Sequence, residues 1–164
     1  MSKKLFYFLA GPVFTAGVLV GSLLSLPARA GKDGSLGPLR SQVVTWDRAP
    51  SQVGPWGEMR RYFQGETYNT TSLLAAVAVI KPGESLHPAH RHAEEEFLMI
   101  TEGSGKWHLD GKEFAAGKGD VLYVAPWVMH GVVNTGSAPL TFFVVRYNGK
   151  GIKPPAAPPG DHGK

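Results

Sequence analysis

The chain reads as all-β, a small sandwich or barrel, and three observations predict it. Short apolar runs recur at close, regular spacing with Gly, Pro, Asn or Asp between them. Asp110-Gly111 stands between two such runs, a strong sign of a two-residue hairpin. No segment beyond residue 40 carries a convincing helical period. Taken in order, residues 73–80 form an apolar strand ended by Lys81-Pro82-Gly83. Its Ala75-Ala76-Val77-Ala78 would suit a helix by propensity, but it is too short and is flanked by Thr and by Gly/Pro. Residues 97–101 form the next strand and end at Glu102-Gly103; residues 106–109 and 112–115 flank the Asp-Gly turn. Strands at 121–124, 131–133 and 140–146 follow, each bounded by Gly, Pro or Asn.

At 164 residues the chain is long enough for one domain and short for two. Its first thirty residues differ from the rest. Ser2-Lys3-Lys4 makes a basic start, residues 5–26 are almost wholly apolar, and Pro27-Ala28-Arg29-Ala30 ends in a small-x-small pattern ahead of Gly31. This predicts a secretory signal peptide over 1–30 and a mature protein exported to the periplasm or beyond the cell. An apolar run of about 22 residues also suffices to span a bilayer, so an uncleaved N-terminal membrane anchor is the alternative. Gly11-Pro12, Gly17, Gly21 and the Ala-x-Ala site favour cleavage. Residues 31–40 read as a flexible spacer, 41–151 as the barrel domain, and 152–164 as a disordered Pro-rich tail.

Charge and composition remove several function classes. The formal charge of +4 falls to +1 once Lys3, Lys4 and Arg29 leave with the signal, and no Lys/Arg-rich block stands out. Nucleic-acid binding therefore has no electrostatic support. The absence of cysteine excludes disulfides, thiolate metal sites and thiol catalysis, so any metal must be held by nitrogen and oxygen.

Such ligands are concentrated in two segments. His90 and His92 are two residues apart, and on a strand both imidazoles face one way, about 7 Å from each other. Glu96 follows on the next strand and adds a hard oxygen, and His130 lies in a second patterned segment over 119–134. The four would form a mixed nitrogen and oxygen site with one or two positions open for water or substrate. Glu94 and Glu95 compete with Glu96 for this role; the spacing and the strand that follows favour Glu96.

The first segment has the spacing H-x-H-x3-E-x6-G through His90, His92, Glu96 and Gly103, and the second carries Gly119, Pro126, His130 and Asn134. Together they resemble the two motifs of the cupin superfamily, in the manner of small single-domain bacterial type-2 cupins, over residues 73–146. The resemblance implies a double-stranded β-helix, that is, a jelly-roll barrel. It also implies one divalent transition metal (Mn, Fe, Co, Ni, Cu or Zn) on His90, His92, Glu96 and His130, with Glu96 also available as a catalytic proton acceptor. The sequence departs from the motifs at three places. Gly83 precedes His90 by seven residues where six are expected, and Ala125 and Trp127 replace the second motif's proline and following glycine.

Around the site, Phe97, Met99, Leu122, Tyr123, Val132, Phe142 and Val144 are candidate barrel lining. His87 is a candidate proton carrier or extra ligand, and Trp127 a candidate wall at the barrel mouth. Arg60, Arg61 and Tyr68 are candidates for an anionic substrate, and His108 is expected to be exposed. Two classes of function fit: a metal-dependent oxidoreductase, dioxygenase-like, or an isomerase; and a non-catalytic module that binds metal or a small sugar or acid. The expected partner is a small molecule. The resemblance also implies a homodimer through an edge strand, for which residues 43–46 and 73–80 are the candidates.

Overall fold

The computed structural model describes residues 38–160. The predicted signal peptide, residues 31–37 of the predicted spacer, and residues 161–164 with His162 lie outside the described residues. After a 3-10 turn at Trp46–Arg48 come nine strands: β1 (Ser51–Gly54), β2 (Gly57–Gly65), β3 (Thr70–Ile80), β4 (Glu95–Glu102), β5 (Ser104–Leu109), β6 (Lys112–Gly117), β7 (Val121–Val124), β8 (His130–Val133) and β9 (Leu140–Gly149). They form two antiparallel sheets, one in the order β1-β2-β3-β9-β4-β7 and one in the order β6-β5-β8. Nearly all regular structure is strand, and the arrangement is that of a jelly-roll barrel. No helix among the described residues is long and apolar enough to cross a membrane.

Alternation along β4 and β9 builds the core and aims the site. On β4 the inward residues are Ile100, Leu98 and Glu96; on β9 they are Phe142, Val144 and Arg146, each directly opposite its counterpart. Both stripes run apolar, apolar, charged, so core gives way to site at the same rung. Ala76, Ala78 and Ile80 of β3, Met59 of β2, Trp107 of β5 and Val132 of β8 close the rest of the core.

Period two also corrects the lining. Because Glu96 and Leu98 point inward, Phe97 and Met99 must point out, and with Tyr123 they are exposed. Leu122, Val132, Phe142 and Val144 are buried as expected.

The turns behave as their residues require. Asp110 and Gly111 take φ of 49° and 73°, the left-handed pair of a type I′ turn, and join Leu109 to Lys112 in register. Gly103 carries the chain from β4 in one sheet to β5 in the other at φ 79°, and a Cβ there would collide with the Pro139 carbonyl.

The edge-strand expectation is overturned. Residues 57–65 alternate charged Glu58, Arg60 and Arg61 with few apolar residues, and a register shift between Arg61 and Phe63 breaks the period. They form β2, which with β1 extends the large sheet beyond β3. As a result residues 73–80 lie inside the sheet, paired on both sides, and cannot offer an edge. Residues 43–46 form no strand either. The open edges of the large sheet are β1 and β7.

Candidate metal centre

His90 and His92 lie not on a strand but on the loop before β4, so the period-two argument for their shared direction does not apply. Their convergence has another cause. His90 and His130 exchange both backbone hydrogen bonds, at 2.9 and 2.8 Å, which fixes the loop against the start of β8. The Trp127 N–H donates to the His92 carbonyl at 2.7 Å and ties the same loop to the segment before β8. Three imidazoles therefore meet, with ring centroids 5.2 Å apart for His90 and His92, 4.7 Å for His90 and His130, and 4.9 Å for His92 and His130. One ligand atom from each lies within 4.8 Å of the others, a possible metal site.

Glu96 joins two of the three. Its carboxylate lies 3.2 Å from His92 Nε2 and 3.5 Å from His130 Nε2. Ligands about 2.0–2.2 Å from one ion stand roughly 3 Å from each other, so this carboxylate is at ligand spacing from both rings. Glu94 and Glu95 point elsewhere. The Glu94 carbonyl, at 3.1 Å, and its carboxylate, at 3.4 Å, both face His92 Nδ1, whereas Glu95 accepts a hydrogen bond from the Tyr123 hydroxyl. Of the three glutamates, only Glu96 lies on the inward face of β4.

The ring tautomers favour a cation. His130 Nδ1 donates to the Val128 carbonyl at 2.8 Å, which leaves Nε2 as the lone-pair atom. Among the described residues, His130 Nε2 and His90 Nδ1 are buried ring nitrogens with no hydrogen-bond partner. Burying such atoms unpaired is costly, and a cation between them would remove the cost. The donor set thus fits a divalent transition metal.

Without that cation the group polarises itself. Burial, and then the neighbouring His87, push His90 down to about 4. Burial by itself would raise Glu96, but the His130 and His92 rings outweigh it and hold the carboxyl down to about 2. Burial lowers His130, yet Glu96 and the Val128 carbonyl more than reverse this and its pKa is raised. Glu96 is therefore a carboxylate, and His90 a neutral ring ready to ligate.

Beside the rings is a cavity of about 60 Å³ lined by His87, His90, Glu96, His130 and Arg146, with apolar walls from Met59, Leu74, Leu86, Leu98, Phe142 and Val144. At about 10–15 Å³ per water it holds roughly four to six waters, or one small molecule. Sequence reasoning missed Arg146. Arg60 and Arg61, the expected anion binders, are occupied elsewhere: Arg60 stacks on Trp46 and binds the Trp46 carbonyl and Glu58, and Arg61 bonds Gln52. Tyr68 is exposed and lines no part of the cavity. The signal for Arg146 was its even-numbered place beyond Phe142 and Val144.

His87 does reach the site. Its ring packs edge-on against His90 at 4.1 Å, and its Nδ1 bonds the Pro88 carbonyl. Trp127 is neither core nor cavity wall. It holds φ at 65°, and its indole N–H donates to the Pro155 carbonyl at 2.7 Å. A left-handed residue other than glycine costs about 1–2 kcal/mol. His108 is partly exposed beside Glu113.

Residues 76–146 match the family model described as Cupin domain. A Cupin 2 conserved barrel domain protein from Salinispora arenicola has the same fold, with a TM-score of 0.54 at 24% identity over 67% of this chain and 91% of that one. These findings support the cupin superfamily. Among curated relatives, gentisate 1,2-dioxygenase from a Streptomyces species is 33% identical over 97 residues, 55% of this chain. The chain spans 27% of that protein's length. The oxalate-binding protein of Thermotoga maritima is 29% identical over 116 residues, 70% of this chain and 96% of that protein. The cupin fold places loop, β4 and β8 so that both motifs contribute to one cluster.

Proposed function

We propose that the chain is a metal-dependent cupin acting on a small carboxylate outside the cytoplasm, with one divalent transition metal held by His90, His92, Glu96 and His130. The observation that carries this reading is the convergence of three imidazoles, two with orphaned buried nitrogens, beside a small cavity that also contains Arg146. When bound, the ion would supply Lewis acidity and a place for a substrate's oxygen atoms. The protein's own groups account for the rest. The Arg146 guanidinium, whose Nε lies 3.9 Å from the Glu94 carboxylate, lines the cavity and offers a counter-charge for a carboxylate. The apolar wall of Leu98, Phe142 and Val144 excludes bulk water and strengthens that attraction. Glu96 stands at the cavity as a carboxylate whose lowered pKa suits it to hold a cation rather than to take up a proton.

The reaction class proposed is dioxygenase-like oxidation, in keeping with the gentisate 1,2-dioxygenase likeness. A second reading, a non-catalytic binding module, is favoured by a different observation: the oxalate-binding protein is matched over nearly its whole length, the dioxygenase over about a quarter. Metal analysis of the purified protein, followed by oxygen uptake with enediol, catechol and hydroxybenzoate carboxylates, tests the first reading. Stoichiometric metal with tight oxalate binding and no oxygen uptake would establish the second. Export is proposed from the signal-like residues 1–30. A mature N-terminus at Gly31, read by mass spectrometry of the secreted fraction, tests it.

A further inference from the structure

Trp127 stands where the motif has glycine, and the backbone there keeps the left-handed φ of 65° that glycine would adopt freely. Local strain of this kind persists only where surrounding contacts determine it. Four hydrogen bonds at and beside it do so here. The Trp127 backbone N–H donates to the His92 carbonyl at 2.7 Å. The next residue, Val128, bonds back to the Ala125 carbonyl and offers its own carbonyl to His130 Nδ1 at 2.8 Å. The indole N–H donates to the Pro155 carbonyl at 2.7 Å, in the Pro-rich segment that follows β9. One residue thus links the C-terminal segment to the loop of His92 and, through Val128, to the ring of His130.

We infer that Trp127 is a positioning residue: pinned by the segment around Pro155, it clamps His92 and His130 into ligating positions and slows the release of the ion between them. The C-terminal segment is then a strap on the metal centre. This rests on the metal reading above. It adds that a residue touching neither ion nor cavity controls how long the ion stays.

The test uses the full-length protein loaded with Zn(II). Two measurements are made on each variant: the rate of Zn(II) release to an excess of a chromophoric chelator, and the melting temperature of the metal-free form. Trp127→Phe keeps the ring and loses the donor. The paired Pro154→Gly, Pro155→Gly change frees the strap while leaving the carbonyls in place. Both should speed release about tenfold, the effect expected for supports of metal ligands, with the metal-free melting temperature unchanged. Combining them should add little, since both break one link. Trp127→Gly should raise the metal-free melting temperature by relieving the backbone and still speed release. A merely structural residue would move both measurements the same way. Release at the parental rate in Trp127→Phe and in the proline variant overturns the inference, as does faster release accompanied by an equal loss of metal-free stability. If the unaltered protein retains no Zn(II) or other divalent ion, the metal reading itself fails, and this inference falls with it at that earlier step.

Discussion

His130 shows how single residues acquire their roles. Its Nδ1 is committed to a backbone carbonyl and its Nε2 is buried without a hydrogen-bond partner, so the fold itself sets the ring's orientation and leaves Nε2 as the nitrogen available to an ion. His90→Ala and His130→Ala should therefore abolish stoichiometric metal, measured by elemental analysis of the purified variants. Glu94→Ala should retain it, because the backbone carbonyl of residue 94 still holds His92 Nδ1. Glu96→Ala should lose it in part, with affinity down by about tenfold or more. Equal losses in the two glutamate variants would show that the carboxylate has been misassigned. Arg146→Gln should weaken oxalate binding by about tenfold, read by calorimetry, while metal content stays at the parental level. At this scale spacing in the sequence picked out the three histidines that the fold brings together. It missed Arg146 because an arginine at the end of an apolar strand is indistinguishable from a solvated one until its facing residue is known.

At the scale of elements, the face each strand buries decides what a substitution costs. Leu98 and Phe97 are adjacent on β4, but Leu98 is 5% exposed in the core and Phe97 is 41% exposed on the outer face. Leu98→Ala should cost about 2–5 kcal/mol. Phe97→Ala should cost about 1 kcal/mol or less, mainly its contact with Tyr123. Chemical denaturation of both variants checks the contrast, and equal costs would mean the register of β4 is wrong. Asn134 follows β8 and is wholly buried: its side-chain amide donates to the carbonyls of Ile80 and Ala138 and accepts from Gly136 N–H. Asn134→Ala leaves these groups unpaired and should cost about 3 kcal/mol by the same assay. Asn134 was legible only as a position of the second motif. Its bond to Ile80, 54 residues away, was not, because nothing local encodes that distance.

For the molecule as a whole, the site is a junction. The loop before β4, β4 itself, β8 and β9 each supply a group, and none forms a centre alone. An ion that binds only the folded form then stabilises the whole barrel, by about 2.7 kcal/mol at a hundredfold excess over its dissociation constant. Removing it with a chelator should lower the melting temperature by roughly 10 °C for a body of this size, read by calorimetry with and without re-added metal. No shift would mean that the imidazole cluster holds no ion in solution.

The sequence by itself determined the all-β class, the Asp-Gly hairpin and the identity of the histidines, because period, turn chemistry and ligand spacing are local properties of the chain. Tertiary structure alone decided three things: that β2 places residues 73–80 inside the sheet, that Arg146 faces Glu96, and that Trp127 binds the C-terminal segment. Each of these joins residues far apart in sequence. Such contacts are fixed by strand pairing and packing across the two sheets, and no window along the chain contains them.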